Sequence, residues 1–131
     1  MDKTFKQIVL IQIILLPVLI LLEIFFPVPE EIYNQPYFDG VLANRTDGAI
    51  TFALIVGFVI LLTHYASLIL IYLFKPIGKP IFFWTLILLI ASYLISPSVS
   101  SGFFAMLDNI DSILAGATLV FLYFTPIKNK F

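Results

Sequence analysis

Four long apolar runs, separated by short polar breaks, organise this 131-residue chain. The runs cover 7–26, 48–74, 81–96 and 108–124, and a helix needs roughly 20 residues to cross a hydrocarbon core. The breaks fall at 27–47, 75–80 and 97–107, with a polar tail at 125–131. This pattern predicts an all-α polytopic membrane protein, a four-transmembrane-helix bundle forming one membrane domain over 1–131. The first run is too long for the apolar part of a signal peptide, and Pro27-Val28-Pro29-Glu30-Glu31 is not a small-residue cleavage site, so it reads as a retained anchor. Pro17 near its middle removes a backbone donor and is expected to kink it. The second run, roughly 40 Å long at 1.5 Å per residue, is expected to tilt or to start within the interface.

Charge orients the bundle. Lys3 and Lys6 precede the first run, Lys75 and Lys79 lie between the second and third, and Lys128 and Lys130 follow the fourth. Basic loops stay on the cytoplasmic side during insertion, which places both termini inside. Seven of the eight acids (Glu23, Glu30, Glu31, Asp39, Asp47, Asp108 and Asp111, with Asp2 the exception) fall toward the opposite face. Asp108 and Asp111 then form an acidic first turn of span four, at the positive end of its helix dipole. The layout resembles that of small four-span bacterial inner-membrane proteins, so the expected location is the inner membrane, multi-pass.

Only 11% of residues are charged and 61% are hydrophobic, which leaves no material for a separate soluble domain. The absence of cysteine excludes disulfides, thiolate metal sites and thiol catalysis. Seven dispersed basic residues argue against nucleic acid as a partner. There is no Gly-rich phosphate loop, no credibly spaced Ser/His/Asp set and no helical His and Glu pair for zinc. No catalytic, cofactor-binding or metal residue is therefore assigned.

Helical spacing gathers small and polar residues along one face of each span. Ala49, Ala53, Gly57, His64 and Ser67 fall within about 80° of arc on span two. Asp108, Asp111, Ser112, Ala115 and Thr118 line span four, Gln12 and Glu23 span one, and Thr85, Ser92 and Ser96 span three. Helices in lipid associate through small residues and interhelical hydrogen bonds, so Ala49, Ala53, Gly57, Ser112 and Ala115 are the expected packing positions. The same faces admit a second reading, a polar path through Glu23, His64, Asp108 and Asp111. His64, halfway along span two, is either a hydrogen-bonded structural residue or a proton or ligand site. One histidine builds no metal site within a single chain, although an oligomer would collect several copies. Glu23 is either an interfacial acid paired with Arg45 or a cation-binding carboxylate.

The break at 27–47 carries Tyr33, Tyr37 and Phe38, suited to the headgroup level and to docking a partner. It also holds a glycosylation sequon at Asn44-Arg45-Thr46, a pattern that occurs often by chance. Phe103–Leu107 reads as a second interfacial segment, and Trp84 falls where an aromatic belt residue belongs. Spans two and four end in an echo, Phe-Lys-Pro-Ile at 74–77 and Phe-Thr-Pro-Ile at 124–127. It fits a duplicated hairpin, and equally the use of proline to stop helices at one interface.

Chain length and span count are similar to those of small multidrug resistance transporters, in which the first span carries an essential glutamate near its middle. Glu23 follows Leu-Leu and precedes Ile-Phe-Phe-Pro at the exit, so no transport residue of that family carries over. The expected function is non-enzymatic, the binding of other membrane components as an accessory subunit, assembly or stability factor, or immunity-type protein. Its partners are the lipid bilayer and other membrane proteins or a second copy of itself. The alternative is an oligomeric channel or proton-coupled transporter using Glu23 and His64, and third comes a membrane enzyme acting on lipid or quinone.

Overall fold

A computed structural model describes residues 1–25, 47–95 and 102–131. They form four α-helices, α1 (Asp2–Phe25), α2 (Asp47–Tyr72), α3 (Gly78–Ile95) and α4 (Gly102–Phe124), then a 3-10 helix over Pro126–Lys130, and no strand. Lipid offers backbone groups no hydrogen-bond partner, so apolar stretches of this length satisfy their amides internally as helices. Three helices carry spans long and apolar enough to cross a membrane, Asp2–Leu22, Ile55–Tyr72 and Met106–Phe124, and α3 adds the apolar stretch Gly78–Ala91. Helix α1 runs unbroken through Pro17.

Helix ends depart from the sequence boundaries, and α1 starts at Asp2 rather than Gln7. Helix α3 starts at Gly78 rather than Ile81, because Pro80 falls in its first turn, where a missing N–H costs nothing. Helix α4 starts at Gly102 rather than Asp108, since nothing in Phe103–Leu107 breaks a helix. Asp108 is thus the seventh helical residue, and the expected acidic first turn at the dipole's positive end is not formed. Helix α2 stops at Tyr72, because Phe74 takes a left-handed conformation with φ 53°.

That left-handed residue closes α2. The Phe74 N–H donates to the Ile71 carbonyl at 2.9 Å and the Lys75 N–H to the Leu70 carbonyl at 2.8 Å, the paired bonds of a Schellman cap. Glycine normally occupies this position, and a left-handed side chain costs roughly 1–2 kcal/mol. The Phe74 ring supplies the compensation. It lies 5.9 Å from Phe5 and 5.5 Å from Phe131, with the Lys6 ammonium 5.0 Å and the Lys130 ammonium 5.5 Å from its centroid. At the other copy of the echo, Phe124 ends α4 and an extended Thr125 caps the 3-10 helix. Its hydroxyl accepts from the Ile127 N–H at 3.2 Å and donates to the Phe121 carbonyl at 2.8 Å. The two echoes therefore end their helices by different geometry.

Both termini and the α2–α3 turn meet at this one end, where Phe5 also touches Phe121 at 5.7 Å and Phe131 at 6.3 Å. Lys130 pairs with Asp2 across the termini, although both side chains are half-exposed and orient the tail more than they stabilise it. Above them lies the core of Phe5, Val9, Leu68, Ile71, Phe82, Ala115, Leu122 and Ile127. Helices pack in the order α3, α2, α1, α4. On α2, α3 and α4 the described buried side chains all lie in the half nearer the lysines, and from Ile55 to Thr63 α2 buries none.

The α2–α3 hairpin closes tightly around buried Gly78. A Cβ there would stand 2.8 Å from the Leu70 Cβ and 3.0 Å from the Ile71 backbone nitrogen. Gly78→Ala is accordingly expected to lower stability by about 1–3 kcal/mol in detergent unfolding. Gly116, exposed on α4 with open space at its Cβ position, serves as the contrast. Gly116→Ala is expected to be neutral or stabilising by up to about 1 kcal/mol, from helix propensity alone.

Candidate functional site

The buried polar side chains form a layer between the aromatic end and the opposite half. Gln12, His64, Ser67, Thr85 and Thr118 are all 5% exposed or less. Gln12 stands seven residues beyond Phe5 on α1, roughly 10 Å deeper along the helix. On α2, His64 stands ten residues before Phe74 in the chain, roughly 15 Å along the axis. Two helix pairs, α2–α3 and α1–α4, are each tied here by one hydrogen bond.

His64 joins α2 to α3. Its Nδ1 lies 3.0 Å from the Thr85 hydroxyl oxygen, and its ring stacks on Phe82 at 5.0 Å. Thr85 donates to the Ile81 carbonyl at 2.9 Å, with the Phe82 carbonyl at 3.1 Å, the usual back-bond of a threonine within a helix. With its one hydrogen so committed, the hydroxyl accepts from His64, which assigns the Nδ1–H tautomer. One turn on, Ser67 donates to the His64 carbonyl at 2.6 Å. The imidazole is thus held by a neutral donor–acceptor pair and an aromatic face.

Gln12 joins α1 to α4. The Thr118 hydroxyl donates to its Oε1 at 2.7 Å, while its buried Nε2 has no partner. Exchanging the amide's oxygen and nitrogen would orphan the oxygen instead, so one amide atom stays unpaired either way. Asp111, half-buried on α4 seven residues before Thr118, likewise holds a buried unpaired Oδ1. Two unmet buried polar atoms therefore sit on α1 and α4, with Asp111 about two helical turns from the Thr118 that bonds Gln12.

The polar-path residues are not gathered into one cluster by the described side chains. His64 belongs to the α2–α3 seam, whereas Asp108 and Asp111 are half-buried on α4. Among the described residues no three His, Asp or Glu side chains come together as a metal site. Of the packing positions, Ala115 is buried, Ser112 is exposed, and a Cβ on half-buried Gly57 would meet nothing within 4 Å. The side chains of Glu23, Ala49, Ala53 and Ser92 are outside the described set, as are Ser96 and the whole of Tyr33, Tyr37, Phe38 and the Asn44 sequon. One arrangement was not anticipated from sequence, the placing of the Lys79 ammonium 4.4 Å over the Tyr123 ring. No local spacing signals it, because Lys79 and Tyr123 lie on different helices.

Comparison with family models, with curated proteins and with solved structures gives no match in any of the three.

The Gln12–Thr118 bond tests the seam directly. Thr118→Val leaves a buried amide with no partner and is expected to cost roughly 1–2 kcal/mol. Adding Gln12→Leu removes the orphan and should recover most of that loss, as read from unfolding midpoints of the single and double variants.

Proposed function

We propose that this chain is a small integral protein of the bacterial inner membrane, with both termini cytoplasmic, that acts by binding other membrane components. It serves as an accessory subunit, an assembly or stability factor, or an immunity-type protein, and not as an enzyme. The observation that carries the reading is the unused packing face of α2. Gly57 is a residue that permits close helix approach, yet open space lies over its Cβ position. Around it Phe52, Ile55, Phe58 and Val59 are each more than half exposed. A second transmembrane helix seated at Gly57 gains the close contact that no described residue makes there. The lysines at the shared end support the cytoplasmic orientation.

The test is recovery of partners in a mild detergent. Gly57→Leu is expected to reduce recovery several-fold while leaving helix content and unfolding midpoint unchanged, because a Cβ there meets no described residue within 4 Å. Replacing Tyr33, Tyr37 and Phe38 by serine should weaken the same recovery. Purification of this chain free of any partner would remove the proposal's support.

A second reading, an oligomeric channel or proton-coupled transporter, is favoured by the orphaned Gln12 Nε2 and Asp111 Oδ1, since unmet buried polar atoms call for water. On this reading Glu23→Gln or His64→Ala abolishes proton flux in liposomes while the protein still assembles. Unchanged flux in both variants, or no flux in the parent protein, excludes it.

A further inference from the structure

Five of the six lysines at the shared end have no carboxylate within ion-pair range among the described residues; only Lys130 reaches one, on Asp2. The Lys6 and Lys130 ammonium groups share the Phe74 ring, whereas Lys79 alone lies over the Tyr123 ring. Lys79 is the second residue of α3, where the positive end of the helix adds to its charge. Its ammonium is fixed 4.4 Å over the Tyr123 ring of α4, not spread among other charges. Tyr123 packs on Phe83 at 5.9 Å and Phe83 on Trp84 at 5.6 Å, so three rings run as a ledge from the ammonium. Phe83 and Trp84 are 37% and 62% exposed, which gives the ledge an open outer face.

The vertical order of these groups is that of a lipid molecule. The Lys79 backbone is one turn above Phe83, roughly 6 Å toward the helix end, with its ammonium over the Tyr123 ring. A phosphate at the headgroup level meets the ammonium, and the glycerol and first acyl carbons beneath it meet aromatic faces, the surroundings in which tyrosine and tryptophan are favoured. The ledge spans α3 and α4, the two outer members of the helix row, which here meet through side chains and not through a close backbone seam. We propose that Lys79, Tyr123, Phe83 and Trp84 form a docking site for one anionic phospholipid, with its phosphate on the Lys79 ammonium and its upper acyl segment on the rings. Charge complementarity selects the anionic headgroup, because the site offers a cation and no carboxylate to hold a zwitterion's ammonium. The proposal requires only that the chain sits in a bilayer and is independent of the partner-binding function.

Trp84 is the chain's single tryptophan, so its fluorescence reports on this site alone. The full chain is reconstituted in phosphatidylcholine vesicles in which a small, equal fraction is either brominated phosphatidylglycerol or brominated phosphatidylcholine. Brominated phosphatidylglycerol is expected to occupy the site about fivefold more than its fraction in the bilayer, as one basic residue at the surface provides, and to quench Trp84 correspondingly more than brominated phosphatidylcholine. Lys79→Gln should abolish the preference and Lys79→Arg should keep it, with helix content unchanged in both. Lys128→Gln, which removes an exposed charge at the same end, should leave the preference intact. Equal quenching by the two lipids in the parent protein, a preference that survives Lys79→Gln, or an equal loss in Lys128→Gln would overturn the site.

Discussion

Phe5 is where the segments of this protein are joined. Its fully buried ring touches Phe74 after α2, Phe121 on α4 and Phe131 at the end of the tail. Helices immersed in hydrocarbon gain little from hiding apolar surface from one another, so association depends on van der Waals fit and on a few directed contacts. Aromatic pairs contribute about 0.5–1.5 kcal/mol each beyond the area they bury. Three such pairs on one ring hold the first helix, the α2 cap and the C-terminal tail in a fixed relation. They also explain how a phenylalanine persists in a left-handed conformation at position 74, where glycine would be unstrained.

From this aromatic end the bundle is tied twice more, by Gln12 with Thr118 and by His64 with Thr85. Both bonds join neutral groups, which avoids the cost of ions at depth while fixing which helix faces which. Their completeness differs. The His64–Thr85 pair extends into a back-bonded chain through Ile81 and is backed by the Phe82 ring, whereas the Gln12–Thr118 pair leaves an amide nitrogen unmet. The α2–α3 hairpin, closed also by Gly78 against Leu70, is therefore the better-satisfied unit.

The candidate sites divide along the same axis. Toward the lysines the chain is packed and aromatic, and its exposed charge and rings address lipid. Away from them α2 is open at Gly57 among the described residues, the face proposed to receive another helix. Small residues in a helix register were read as packing positions; of these Ala115 is buried, while a Cβ at Gly57 meets no described residue within 4 Å. Asp108 and Asp111 were legible as neighbours on one face, but α4 begins six residues earlier than the charge pattern implied, which removes them from the helix terminus.

Sequence alone determined the number and type of the helices and the meeting of both termini with the α2–α3 turn at one end. The reason is that lipid enforces internal backbone bonding, and paired lysines recur after every second apolar run. Periodicity further placed Gln12, His64, Thr85 and Thr118 on the polar faces of their helices. Which of those faces meet was decided only by the tertiary structure, since a stripe of polar residues is compatible with any neighbour that carries another. The pairing of Gln12 with Thr118, 106 residues apart, the left-handed Phe74 and the Lys79 ammonium over Tyr123 all depend on that choice. Each is a contact between residues distant in the chain, or a backbone state sustained by such contacts, and local pattern carries no record of either.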